Sequence, residues 1–421
     1  SGVFSVRAHN SIDEGKVVNL SRYKVGSLFF SDEEKEQLFE DDRMISNKTD
    51  LKGIYSELDS SYFNFSGKNI EISDEVDNSK SKYFPQIVDQ GETGACASFA
   101  MTYLQATYTI NKVKDIDSSN ENNVLSPNWT YNLTNEGGNN GTVLMDVVTI
   151  LKDIGGVSVA DIPICGSIED VTKFADIHAD RELWLKAQNN KIKDAYAIDL
   201  KNEDKKTLIK NPKDKDLDGT TPSTKWRTYK IEANDEVPAN NDYIGQEIVT
   251  RCDGQTYGGH RITIVGYNDN IWVDINQNNV VEEGEKGAFK IANSWGTMVG
   301  NDGFYWISYD SLNKKSSVEK NSQVSLRRNR SCSIVDVVLL IAKTDKISNC
   351  YAKFTLNSAV ANTIEVSIKA TDDLGNTYVY EVVPFMSADM YNSLGPFGFK
   401  GTTDAVDGTF VIDLENVVES I

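Results

Sequence analysis

The chain lacks any apolar run long enough to cross a bilayer. Its longest candidate, residues 334–342, is strand-length and carries Asp336, far short of the ~18–20 residues a spanning helix needs. It is also short of positive charge: 43 Lys and Arg stand against 63 Asp and Glu, a formal charge of −20 over 421 residues. That balance excludes a chain built to coat phosphate backbones, because its field repels nucleic acid and acidic lipid. No nucleic-acid partner and no membrane insertion are expected. Histidine is scarce, with only His9, His178 and His260. The five cysteines, Cys96, Cys165, Cys252, Cys332 and Cys350, contain no CxxC pair, which speaks against a zinc ribbon or a thioredoxin-type site. Their odd number fits one functional thiol with two disulfides, or five reduced thiols. The amino terminus has no basic head followed by an apolar stretch, and its Ser1-Gly2 start fits a leader trimmed ahead of it.

What is present is enough for a folded core. Hydrophobic residues make up 39%, with 6 Trp, 18 Tyr and 16 Phe, a composition unlike that of a disordered chain. The texture divides the chain in three. Residues 1–75 are polar and charge-rich: Ser31-Asp32-Glu33-Glu34 opens an acidic helix to about Asp41, and Tyr62, Phe63 and Phe65 form an apolar knot. This segment reads as a propeptide or an arm of the fold. Residues 76–330 mix short strands, helical runs and Gly-rich turns, and within them 189–256 read as polar insertions or surface loops. In residues 331–421, Ile364, Val366 and Ile368 alternate with Glu365, Ser367 and Lys369, and Phe410, Ile412 and Leu414 largely repeat the pattern. With turn residues at Asp373-Leu374-Gly375-Asn376, this predicts an antiparallel β-sandwich acting as a binding or spacing module of unassigned ligand.

Three segments carry reactive residue types. Gln90-Gly91-Glu92-Thr93-Gly94-Ala95-Cys96 leads into Phe99, Ala100, Tyr103, Leu104 and Thr107 at helical spacing. Cys96 is thereby placed in the first turn of a helix buried on one face, where unpaired N–H groups and the helix dipole favour thiolate. A buried structural cysteine would give the same local pattern. A cysteine nucleophile needs an imidazole partner. His9 and His178 read as surface residues, whereas His260 follows Gly258-Gly259 and opens an apolar strand, as a candidate base or a hydrogen-bonded core histidine. The third segment, Ala288–Ala292 followed by Asn293-Ser294-Trp295-Gly296, is a strand ending in an amide and an indole. Such an amide oxygen can orient an imidazole while the indole keeps water away.

Together these segments resemble the papain family of cysteine peptidases over about residues 76–320. Gln90-Gly91-x-x-Gly94-Ala95-Cys96 is similar to that family's nucleophile signature, Gly259-His260 with Ile264-Val265-Gly266-Tyr267 to its histidine strand, and Asn293-Ser294-Trp295-Gly296 with Gly303-Phe304-Tyr305-Trp306 to its asparagine segment. The resemblance implies an α+β, two-lobed fold, a helical lobe plus a β-barrel-like lobe, ahead of the carboxy-terminal sandwich. It implies Cys96 as nucleophile, His260 as its partner, Asn293 orienting His260, and Gln90 assisting the oxyanion, with a polypeptide as substrate and no organic cofactor. Gly137, Gly138, Gly259 and Trp295 are expected along the substrate cleft. Two departures stand out: Ala97 replaces an aromatic residue, and Thr93 replaces a cysteine that usually forms a disulfide. The Arg181-to-Gly258 stretch matches poorly. A catalytically weak homologue serving as a binding or adhesion module, and a thiol transpeptidase or amidase, are the competing readings.

Residues 274–285 reproduce the twelve-position calcium loop, with oxygen side chains at Asp274, Asn276, Asn278, Glu282 and Glu285, a carbonyl at Val280, and Asn279 where glycine is preferred. A structural Ca2+ at a hairpin tip just upstream of Asn293 is the expectation, with a solvated acidic turn as the alternative. A second stretch, Asp214 to Gly219, shares the first six positions but has Lys225 at the twelfth, and reads as a plain acidic turn. Calcium, acidic charge and paired cysteines together suggest a secreted or cell-surface protein.

Overall fold

The computed structural model describes residues 73–201 and most of 203–419, with gaps at 202, 204, 211–215, 223–224, 254–258, 314–315, 319–333, 344–347, 349 and 387–393. Ahead of residue 73 it describes only the backbone of 16–19 and 44–45, so the predicted acidic helix and the aromatic knot lie outside the described residues.

The strands in chain order are β1 (Lys16–Asn19), β2 (Met44–Ile45), β3 (Glu75–Asp77), β4 (Ile192–Ile198), β5 (Leu217–Pro222), β6 (Lys225–Lys230), β7 (Glu247–Asp253), β8 (Gly259–Trp272), β9 (Lys286–Ala292), β10 (Phe304–Ser308), β11 (Val335–Ala342), β12 (Tyr351–Ser358), β13 (Ser367–Thr371), β14 (Thr377–Glu381) and β15 (Val406–Asp413). One large sheet runs β1-β6-β7-β10-β9-β8-β5-β11-β4-β2, with β3 also on β8. Two N-terminal pieces thus occupy its two ends, β1 antiparallel to β6 and β2 parallel to β4. Four of these strands, β4 to β7, come from the stretch read as polar loops, which corrects that reading. Some of the acidic residues in and beside them go inside and find partners there. Asp216 accepts from Asn78 Nδ2 at 3.2 Å, and Arg261 Nε lies 3.3 Å from Asp218 Oδ1 with both side chains buried. Burial, against the pull of Arg261, pushes Asp218 up to about 7. Buried charges of this kind persist only when paired, and a hydropathy reading counts them as surface.

The helix predicted from Cys96 is present. It begins as α1 (Cys96–Ser98), widens into π-helical turns over Phe99–Ala106, and returns to α-helix over Thr107–Lys114. Asp115 ends it in the left-handed conformation. It is buried on every face from Cys96 to Ile110, not on one. The polar side chains at its centre are satisfied internally: Gln105 Nε2 donates to the carbonyls of Asp216 and Val338 at 3.0 and 2.9 Å, and Thr102 and Thr130 share a 2.7 Å hydroxyl bond. Around it stand α2 (Pro127–Asn132), α3 (Leu144–Thr149, prolonged by π-helical Ile150–Ile154), α4 (Thr172–Ala175) and α5 (Arg181–Ala187). One core fills the sheet side with Leu217, Trp226, Ile262, Ile264, Phe289, Ile291, Ile307 and Leu339. Another joins the inner helix to α3 and to Val338 and Leu340 of β11.

The segment 331–421 divides between two places. Its first strand, β11, lies inside the large sheet between β5 and β4. The rest forms two antiparallel ribbons, β12 with β15 and β13 with β14, around Phe354, Phe385 and Phe410. This unit shares a core with the helical lobe: Trp129, Ile154, Ile177 and Trp184 pack in one cluster with Val382, Phe385, Phe399 and Phe410. Thr409 N–H donates to the Ala179 carbonyl at 2.9 Å, the backbones of Asp176 and Lys400 form an isolated antiparallel β-bridge, and buried Lys191 pairs with Asp413 at 2.9 Å.

Candidate active site

Cys96 begins the inner helix at its dipole's positive end, with no side-chain cap on Ala95 to compete for the terminal N–H groups. That helix packs on β8, where Thr263 Oγ1 donates to the Ala100 carbonyl at 3.1 Å. His260 is the second residue of β8. Across the sheet, Ala292 of β9 faces Thr263, and the chain then leaves the strand as Asn293, whose N–H is held by the Gly303 carbonyl at 3.0 Å.

His260 Nε2 lies 2.8 Å from Asn293 Oδ1. The same oxygen accepts the Ser294 backbone N–H at 2.8 Å. A backbone N–H only donates, so it identifies the amide atom as oxygen, and an oxygen there requires Nε2 to carry the proton. In the neutral ring Nδ1 is then the basic nitrogen. Trp295 stacks on the imidazole with centroids 4.4 Å apart and planes 21° apart, covering the histidine–amide bond. Trp226 of β6 adds a second indole, 5.9 Å from His260 and 5.5 Å from Trp295. Burial drives His260 down to about 4, opposed by its bond to Asn293. A cation on this ring therefore needs an adjacent anion.

Gln90 is drawn to the same place by pairing of chain segments. Asp89 bridges Trp295, Gly296 N–H donates to the Val88 carbonyl at 3.1 Å, and Gln90 N–H donates to the Ser294 carbonyl at 2.8 Å. Its side-chain Nε2 donates to the Thr93 carbonyl at 2.8 Å while Oε1 accepts from the Ser294 hydroxyl. Thr93, where a disulfide cysteine would stand in the resembling family, closes the turn through its hydroxyl to the Gln90 carbonyl at 2.8 Å. Gly91 has φ +61°, and a Cβ there would sit 2.2 Å from the Gly166 carbonyl oxygen, so only glycine fits. Cys96, Cys165 and Cys350 are thiols, not disulfides. The side chains of Cys252 and Cys332 lie outside the described residues.

Cys96, His260, Asn293, Gln90 and Trp295 are all buried. Gly259 is buried at the start of β8 opposite Pro222. The glycine pair lies elsewhere. Gly137 packs back to back with Gly395 of the carboxy-terminal unit, a Cβ on it meeting Gly395 Cα at 2.8 Å and Phe397 at 2.9 Å, and Gly138 faces Asn140. The glycine that closes on the nucleophile loop is Gly141, whose backbone N lies 3.0 Å from a Cβ built on Gly94. Trp226, Tyr131, Asn139 and Gly141 escaped sequence reasoning. Only Asn139 and Gly141 had a signal, their adjacency to the glycine pair.

The loop 274–285 curls through a ladder of side-chain turns. Asp274 Oδ2 accepts from Asn279 N–H at 2.8 Å, Asn276 Oδ1 from Asn278 N–H at 3.0 Å, and Asn278 Oδ1 from Val280 N–H at 2.8 Å. Asn279 has φ +58°, the conformation expected of it in place of glycine. Glu282 accepts from the Asn276 and Asn278 amides, while Glu285 turns inward to Trp272 Nε1 at 2.9 Å and the Ile275 N–H at 2.7 Å. Among the described residues no three Asp, Glu, His or Cys side chains converge as a metal cluster. A cation here would rest largely on amide and backbone oxygens. In the second stretch, Asp216 and Asp218 point into the core, not outward.

The chain is a cysteine peptidase, a hydrolase acting on polypeptides. The profile of the papain family cysteine proteases matches residues 72–326, more than half of the chain, and the protein belongs to that family. Solved structures resemble it distantly. Xylellain, a cysteine protease from Xylella fastidiosa, shares 17% identity over 77% of this chain and 98% of its own, with a TM-score of 0.45. Procathepsin B S9 from Trypanosoma congolense shares 12% over 76% and 87%, with a TM-score of 0.46. Bromelain from Ananas comosus, solved with the E64 inhibitor, shares 14% over 65% and 100%, with a TM-score of 0.40. No curated protein matches the chain. Among the described residues no helix is long and apolar enough to cross a membrane.

Proposed function

We propose that the protein is an endopeptidase in which Cys96 attacks the scissile carbonyl, His260 moves the proton and Asn293 sets the ring. The observation that carries this reading is the 2.8 Å His260–Asn293 bond under stacked Trp295, on the strand against which the Cys96 helix packs. His260 Nδ1 takes the thiol proton, and the sulfur adds to the carbonyl carbon. The resulting oxyanion is stabilised by the Cys96 N–H and the second hydrogen of Gln90 Nε2. Collapse expels the amine, which takes its proton from His260. Water, deprotonated by the same ring, then releases the acid and restores the thiol. Cys96 and His260 are fully buried in this structure, so an opening of the cleft precedes attack.

Intact-mass labelling with an epoxysuccinyl probe, wild type beside His260→Ala, tests this. One equivalent on Cys96, added much more slowly in the variant, is expected. Equal, ordinary-thiol rates in both, persisting after removal of residues 1–72, would leave a fold kept for binding. Product analysis on a peptide substrate distinguishes hydrolysis from transpeptidation, whose products are joined fragments.

We further propose that residues 274–285 take up Ca2+, with Asp274, Asn276, Asn278 and the Val280 carbonyl as first ligands and Glu282 and Glu285 exchanging their present N–H partners for the ion. The ladder of turns that curls the loop supports this. At a calcium concentration of about a hundred times Kd the fold should gain about 2.7 kcal/mol, read as a higher melting temperature than in chelator. Identical melts would mean that the loop's own hydrogen bonds suffice. Export is proposed with it, on the acidic surface and the calcium loop. Recovery of the native chain from cells and not from the medium would count against it.

A further inference from the structure

The nucleophile loop is clamped from outside by one amide. Asn139 Oδ1 accepts the Gly94 backbone N–H at 2.6 Å and the Tyr131 hydroxyl at 2.8 Å, while its Nδ2 donates to the Glu92 carbonyl at 3.1 Å. A backbone donor on one atom and a backbone acceptor on the other leave a single orientation for the amide. The two backbone groups flank Thr93, the position with no sulfur to form a bridge. On its inner side the same turn holds Gln90, through the paired Gln90–Thr93 bonds. The anchor behind Asn139 is buried and hydrogen-bonded as well. Tyr131 is fully buried on α2. Asn135 ties the start of the loop to the Phe174 carbonyl and the Gly137 N–H, both at 2.8 Å, and Gly137 rests on Gly395.

We propose that Asn139 is a positioning residue for the oxyanion donors, an amide staple that does the work of a covalent cross-link. By fixing Glu92 and Gly94 it sets the direction of the Cys96 N–H two residues on and keeps Gln90 converging with it. Its effect on the reaction passes through Cys96 and Gln90; it does not touch substrate. This rests on the reading of Cys96 as nucleophile, and the test separates the two.

Hydrolysis needs the oxyanion donors, whereas alkylation of Cys96 by iodoacetamide needs the thiolate but no oxyanion. In Asn139→Ala, kcat for a peptide substrate is expected to fall about tenfold or more, since a displacement near 1 Å costs up to that order or beyond. KM and the alkylation rate should stay within about twofold of wild type, the sign of a loss confined to the transition state. Tyr131→Phe, which removes one of the three bonds and little volume, should lower kcat severalfold with the same split, and it carries the test if the alanine variant does not fold. Unchanged kcat in a folded variant overturns the staple, as does a parallel loss of alkylation rate, which would mark a general structural role. A wild-type protein that, both intact and after removal of residues 1–72, neither hydrolyses nor alkylates faster than an ordinary thiol would sink the catalytic reading, and the staple with it.

Discussion

Alanine in place of His260 is expected to lower kcat/KM for peptide hydrolysis by roughly a thousandfold or more. In the mechanism proposed above the ring takes the thiol proton and returns it to the leaving amine, and no other described histidine is near: His178 sits between Asp176 and Asn132. The pH dependence follows from the same burial. With the imidazole lowered to about 4 from 6.5, it remains a base well into the acid range. The acid limb of kcat/KM should therefore lie nearer 4 than 6.5, and a limb at 6.5 would contradict the buried geometry. Stability follows linkage with a definite sign. The folded state binds fewer protons at this site than the unfolded chain, so stability decreases as pH falls through the window from 6.5 to about 4. His260→Ala should flatten that part of the curve, which a series of melts across pH would show.

The second large effect lies far from the chemistry. Phe410 is completely buried, with its ring 5.1 Å from Trp184, 4.8 Å from Phe385 and 5.2 Å from Phe399. Trp184 belongs to the helical lobe and in turn meets Trp129 at 5.6 Å. Truncating such a residue to alanine costs about 3–5 kcal/mol, transfer and cavity together. Because this core is common to the lobe and the ribbons, Phe410→Ala should lower one shared unfolding transition, followed equally by tryptophan fluorescence and by loss of peptidase activity. A variant whose ribbons melt separately, with activity surviving to the wild-type temperature, would show that the two parts fold independently.

Much of the candidate site could be read from the chain because each of the residues proposed to act there stands next to a local signal. Cys96 follows a glycine turn and opens a helical period, His260 heads an apolar strand, and Asn293 and Trp295 end another. The partners that hold them lack such signals. Asn139 reaches Gly94 across 45 positions, and any of several asparagines in 132–140 would look equally suited. The expected glycine pair, Gly137-Gly138, and the glycine that meets the nucleophile loop, Gly141, differ by a few residues of loop length, which alternation and spacing do not register.

The sequence alone determined the acidic charge of the chain, its want of an apolar run long enough for a spanning helix, its papain-like α+β class and the order of its reactive segments. These depend on composition and on contacts between near neighbours, which are written into adjacent residues. The tertiary structure alone decided that the polar stretch 189–256 becomes sheet, that β11 joins the peptidase sheet, and that the ribbons share a core with the helical lobe. Each of those outcomes depends on a distant partner: a buried Asp218 is tolerable only beside Arg261, and Phe410 is core only once Trp184 arrives to cover it. Burial free energy is settled by what a residue meets after folding, and that information is absent from any window of the chain.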